Sequence, residues 1–144
     1  MTDNAITAAR VLILAGASTF GLLGGAHLAY TFFTGKFLPR DSALVAAMKA
    51  TSPVLTRQTS MWDAWIGFNA SHSLGAMLFA AVYILLAAKH MDVLVQSKEL
   101  VLLGVAANLT YLWLAHAYWF RVPFVGIAVA TICFAAAATL QFIQ

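Results

Sequence analysis

The sequence predicts an all-α membrane protein: a four-transmembrane-helix bundle with a short amphipathic interfacial helix between the first and second spans. Three observations carry this expectation. The 144 residues are 62% hydrophobic and 9% charged, against about 45–50% and about 25% in a soluble domain. The charges leave four uncharged stretches, residues 11–33, 64–88, 100–120 and 122–144, each longer than the roughly 20 residues that cross about 30 Å of hydrocarbon at about 1.5 Å per residue. These stretches are too long and too uniformly apolar for barrel strands. Helices, which satisfy their own backbone N–H and C=O groups, are the remaining way to cross lipid.

The first span is expected over residues 10–33. Residues 1–9 hold Asp3 and no basic residue, so they lack the positive n-region of a signal peptide and the first helix is expected to be retained. The connection over residues 34–61 is long for a bundle and should contain structure of its own. Asp41-Ser42 can cap a helix over residues 41–51, with Leu44, Val45 and Met48 on one stripe and Pro39 and Pro53 bracketing it. Such a helix can lie on the membrane surface or pack on the end of the bundle. The second span is expected over residues 62–88 and, after a short loop, the third over 99–120. Arg121-Val122-Pro123 links it to the fourth, over 122–143, with proline in its first turn. The last two spans should therefore form a tight antiparallel hairpin. No soluble domain, low-complexity tract or internal repeat is visible, so residues 1–144 read as one domain.

Four spans place both termini on one side. Lys36, Arg40, Lys49, Arg57 and Arg121 lie on the other, against Arg10, Lys89 and Lys98 on the terminal side. The positive-inside rule then puts both termini outside the cytoplasm. The single cysteine, Cys133, falls within the fourth span, which excludes an intramolecular disulfide and any Cys-based metal motif, and reads as a small core residue. The net charge of +3 comes without a basic block, so the expected partner is the lipid bilayer and not nucleic acid. A homo-oligomer or a larger membrane complex is compatible with the sequence.

Polar groups inside a span are costly, about 2.5–3.5 kcal/mol for a central charge, and tend to face the bundle interior or a cavity. His27, Asn69, His72 and His116 all fall in the same half of the membrane, roughly 8–15 Å from one boundary at about 1.5 Å per residue. On the second span Trp65, Asn69, His72 and Tyr83 share a face expected to point inward. Beside it runs a small-residue ridge, Gly67, Ser71 and Gly75, and the first span carries Gly21 and Gly25 just before His27. Helices 1 and 2 are expected to touch along these ridges, bringing His27 to Asn69 and His72. On the third span Trp113 and Tyr111 could line a pocket, and Asn108 reads as an interhelical hydrogen-bond donor. Trp62, Tyr118 and Trp119 read as interface anchors. The fourth span offers only Thr131, Cys133 and Thr139 and reads as a packing helix. Arg57 and Asp63 could pair at the rim or stand as two separate solvated charges.

Three readings of the histidines stay open. His27, His72 and His116 could hold a metal ion with an open position for water, although no His-Glu-x-x-His or Glu-x-x-His motif is present and no carboxylate lies at their depth. Two histidines on different helices, such as His27 and His116, could ligate a b-type haem. The reading the residues favour is a lining of His27, Trp65, Asn69, His72, Trp113 and His116 around a small apolar or amphipathic ligand, a lipid or quinone. No nucleophile with an adjacent base is visible at motif level, so no reaction is read from the sequence. A second function class competes: an accessory or oligomer-forming subunit with a purely structural polar core, whose ridges contact a partner helix.

The stretch TRQTSMWDAWIGFNASHSLGAMLF, with the earlier GGAHLAYTFF and PRDSALVAAM, resembles an uncharacterised family of small bacterial four-helix integral membrane proteins. The resemblance covers helix 1 through helix 2. It implies a bacterial cytoplasmic (inner) membrane location and supplies no catalytic residues. The Arg- and Glu-rich signatures of the membrane-associated glutathione and eicosanoid enzymes are absent.

Overall fold

The computed structural model describes residues 2–143. Met1 and Gln144, the end points of the expected domain, lie outside the described residues. All regular structure among the described residues is helical: α1 (Asp3–Phe33), α2 (Ser42–Ala50), α3 (Met61–Lys89), α4 (Met91–Gln96), α5 (Lys98–Tyr118) and α6 (Arg121–Phe142). Helices α1, α3, α5 and α6 are long and apolar enough to cross a membrane, as in a multi-pass membrane protein.

The boundaries differ from expectation at three places. α1 starts at Asp3 and not at residue 10, because one charge does not end a helix. Ala5, Ala9 and Ile13 continue its buried face through the position where Arg10 points outward. The expected loop between the second and third spans holds α4, whose Met91 and Leu94 are buried. The link from α5 to α6 is Trp119-Phe120, and Arg121, Val122 and Pro123 form the first turn of α6. Proline is tolerated there because a first-turn N–H has no intrahelical partner.

The chain divides into two compact units, Met1–Leu23 with Ala76–Gln144, and Gly24–Gly75. In the first, segments of α1, α3, α5 and α6 pack around Phe134, which is 0% exposed. Its ring meets Tyr83 edge-on with centroids 5.1 Å apart and lies 5.5 Å from Phe79. Two glycines make room for it. A Cβ at Gly104 would stand 2.8 Å from Phe134 Cε1 and 3.0 Å from Tyr83 Cζ, and one at Gly16 would stand 2.9 Å from Phe134 Cδ2. Tyr83 Oη donates to Leu100 O at 2.6 Å, tying α3 to α5. Gln141, near the end of α6, donates through Nε2 to Leu94 O and Val95 O at 2.7 and 3.0 Å. It thereby satisfies terminal carbonyls of α4 that a short helix leaves without partners.

The second unit contains the end of α1, all of α2 and the start of α3. Asp41 caps α2, its carboxylate accepting from Ala43 N at 2.9 Å. α3 opens on a serine cap: Asp63 N donates to Ser60 Oγ at 3.1 Å, and the Ser60 hydroxyl donates to Asp63 Oδ2 at 2.7 Å. Asp63 is thus engaged by its own helix start.

The ridges do not pack as expected. Gly67, Ser71 and Gly75 are exposed, and a Cβ at Gly67 or Gly25 would meet nothing within 4 Å, whereas one at Gly21 would meet the Ala80 Cβ at 3.3 Å. At about 100° per residue the Gly67–Ser71–Gly75 ridge is centred roughly 130° from the Asn69–His72–Tyr83 stripe, so the two face different surroundings. Gly104→Ala should therefore overpack the aromatic hub and cost about 1–3 kcal/mol, while Gly67→Ala, with open space for its Cβ, should leave stability unchanged or raise it by up to about 1 kcal/mol. Thermal unfolding of both variants in detergent measures the contrast. Equal Tm values would show that Phe134 moves aside freely.

Candidate functional site

His27 sits near the end of α1 and Asn69 in the third turn of α3. Their side chains meet, with His27 Nε2 and Asn69 Oδ1 2.9 Å apart. The amide orientation follows from its other bond, since Asn69 Nδ2 donates to Trp65 O at 2.8 Å. Flipping the amide would set oxygen against oxygen. Asn69 therefore presents an acceptor to His27, and His27 must donate through Nε2. In the neutral ring the lone pair then resides on Nδ1.

The His72 ring lies edge-on to His27 with centroids 5.4 Å apart, and Phe37, in the connection after α1, lies on His27 at 4.4 Å. Hydroxyls one turn further along fix the local backbone. Thr31 Oγ1 donates to His27 O at 2.9 Å and Ser73 Oγ to Asn69 O at 2.8 Å. His27, Asn69 and His72 are each half-buried. Two imidazoles and an amide on two apolar helices thus form a polar cluster that the chain covers only in part.

The structure brings together three of the six expected lining residues, His27, Asn69 and His72. Trp65 joins them through its backbone carbonyl, the residue being 41% exposed. Position in the helix explains this: Trp65 lies in the second turn of α3, where little of the chain covers the face it shares with Asn69. Trp113 and His116 are exposed on α5. Trp113 is 61% exposed, its ring edge-on to Tyr118 with centroids 6.2 Å apart, and the His116 ring lies 6.0 Å from Phe124. Among the described residues no group of three or more His, Cys, Asp or Glu side chains could hold a metal ion.

Asn108 also departs from expectation. It is fully buried, but its Nδ2 donates to Gly104 O within its own helix at 2.9 Å, and the bond to α6 is made by its backbone carbonyl, 3.5 Å from Thr131 Oγ1. A short amide on a helix reaches the carbonyl four residues back more easily than a neighbouring helix. Gln141 was not anticipated, because its place at the end of the last apolar stretch resembles an ordinary polar terminus.

No family model, curated protein or solved structure matches the chain.

The His27 geometry has a spectroscopic consequence. With the histidines labelled with 15N, neutral His27 should carry its proton on Nε2. Asn69→Leu should relax that preference and cost about 0.6–2 kcal/mol, the range for a polar contact between membrane helices. A His27 proton resident on Nδ1 in the unaltered protein would refute the assignment.

Proposed function

We propose that the protein is a four-span integral membrane protein whose His27–Asn69–His72 cluster binds a small amphipathic ligand with a polar head, of the quinone or lipid class. One observation carries the reading: the His27–Asn69 bond fixes an imidazole at the edge of a half-covered polar cluster, with the second imidazole 5.4 Å away. Half-buried polar groups held this way keep part of their hydrogen-bonding capacity for a ligand. In the neutral state His27 Nδ1 can accept from a hydroxyl. The apolar helices around the cluster suit a hydrocarbon tail.

In this reading α1, α3, α5 and α6 cross the membrane and α2 lies at its surface. The Lys and Arg excess places the α1–α3 connection on the cytoplasmic side and the termini outside. The family resemblance supports a bacterial inner membrane. Native mass spectrometry of protein extracted in mild detergent, followed by solvent extraction, should find an apolar small molecule retained, and a His27→Leu, His72→Leu variant should retain several-fold less at unchanged fold. Equal retention by both would overturn the reading. A Soret band or stoichiometric metal in the same preparation would replace it with a haem or metal centre.

A second reading, an oligomer-forming subunit, draws on the outward ridge of Gly67, Ser71 and Gly75, an arrangement that lets two helices approach closely. Cysteines at Gly67 and Gly75, on a background lacking Cys133, should crosslink between chains in membranes if the ridge is an interface. Absence of interchain products at both positions would exclude it.

A further inference from the structure

Residues 34–60, which join α1 to α3, hold four of the eight Lys and Arg residues, Lys36, Arg40, Lys49 and Arg57, but only one of the five acidic residues, Asp41. Asp41 is engaged in capping α2. Two of the cations lie over aromatic rings: Lys36 Nζ is 4.0 Å from the Tyr30 centroid and Lys49 Nζ is 5.6 Å from that of Trp62. Tyr and Trp at the ends of apolar helices, each with a cation beside it, mark the level of lipid headgroups. Met61 N donates to Thr51 O at 2.8 Å, so the loop over residues 52–60 leaves and returns at the foot of α3, next to Trp62.

Within that loop Thr56 N donates to Pro53 O at 3.3 Å, closing a turn whose central residues are Val54 and Leu55. Gly, Asn, Asp and Ser dominate such positions because they tolerate the turn backbone and water. Val54 and Leu55 are instead 109% and 93% exposed, more than any other large hydrophobic among the described residues. No part of the chain covers them, and removing aliphatic surface from water is favourable wherever an apolar medium is at hand.

We infer that the 53–56 turn is a membrane-inserting tip. Val54 and Leu55 enter the boundary between headgroups and acyl chains beside α3, while Lys49 and Arg57 hold anionic lipid phosphates. The occupant is the anionic leaflet of the membrane that α1 and α3 cross. A second copy of the chain would bring four like charges against four. The inference rests on the reading of α1 and α3 as membrane-crossing helices.

The test places nitroxide labels singly at Val54→Cys, Gln58→Cys and Leu78→Cys on a Cys133→Ala background, in vesicles of phosphatidylcholine with phosphatidylglycerol. Collisions with oxygen and with a water-soluble nickel chelate are then compared. Labels at positions 54 and 78 should favour oxygen and the label at 58 should favour nickel. Omitting phosphatidylglycerol, or adding Lys49→Gln with Arg57→Gln, should raise nickel access at position 54 several-fold. A label at 54 as open to nickel as that at 58, with 78 shielded, overturns the tip while leaving the spans intact. Nickel access at 78 overturns both the spans and the tip. A shielded label at 54 that shows spin–spin coupling between chains assigns the turn to a protein interface and overturns the lipid assignment.

Discussion

The structure depends on where polar side chains in apolar helices send their hydrogen bonds. Lipid offers no partner, so each donor must be satisfied by the chain. Most take the nearest acceptor, the carbonyl one turn back. Thr19, Thr31, Ser73, Thr110, Thr131 and Thr139 donate to the residue four before them, and the amides of Asn69 and Asn108 do the same. Such bonds satisfy the donor without holding two helices together. The side chains that bond beyond their own helix are few and therefore informative. Tyr83 ties α3 to α5, Gln141 ties α6 to α4, and His27 meets Asn69, while Thr131 of α6 adds a longer contact, 3.5 Å, to Asn108 O of α5. The first two connections are simple tethers. The third ends on an imidazole, which has a second nitrogen to offer.

The helices themselves were legible in the sequence because charges interrupt the apolar stretches at nearly every boundary. The start of α1 was not legible because Arg10 looks like a border and is only an exposed position on a continuing helix. The meeting of His27 with Asn69 and His72, similar in depth, was expected through contact of the glycine ridges, which do not meet; the shared face of Asn69 and His72 on the second span is the part of that argument the geometry retains. Trp113 and His116 satisfied the same depth argument and are exposed on α5, because depth says nothing about rotation about a helix axis. On α3 the stripe of Asn69, His72 and Tyr83 supplied that rotation. On α5 no comparable run of polar residues with one phase fixed it.

The glycines show a different limit. A spacing of four between small residues is common in an apolar helix and does not name the neighbour. Gly16 and Gly104 belong to no ridge picked out by spacing, yet they matter most, since the edges of the Phe134 ring occupy the space where their Cβ atoms would be. Their importance depends on a large side chain on a third helix, and no pattern within α1 or α5 could reveal it. Gly67 has the expected motif around it and no neighbour at all within 4 Å of a Cβ. Small residues permit close approach, and the bulky residue that accepts the permission determines where it happens.

The choice between the two faces of α3 can be argued from its polar residues. One face carries Ser73, Ala76, Ala80 and Ala87, small and buried, in phase with Asn69, His72 and Tyr83. The other carries Gly67, Ser71 and Gly75, equally small and exposed. By size alone either could approach another helix, and glycine would allow the closer contact. Turning the glycine face inward would send the Tyr83 hydroxyl, the Asn69 Oδ1 and the His72 ring outward, where lipid would leave their hydrogen-bonding groups unmet, at a cost of several kcal/mol per group. The outward ridge contains only Ser71 as a polar side chain, and its hydroxyl is satisfied locally by Phe68 O at 3.1 Å. Polar satisfaction therefore sets the rotation of α3. That rotation also sets Asn69 toward His27, so the requirement that orients the helix is the same one that assembles the cluster.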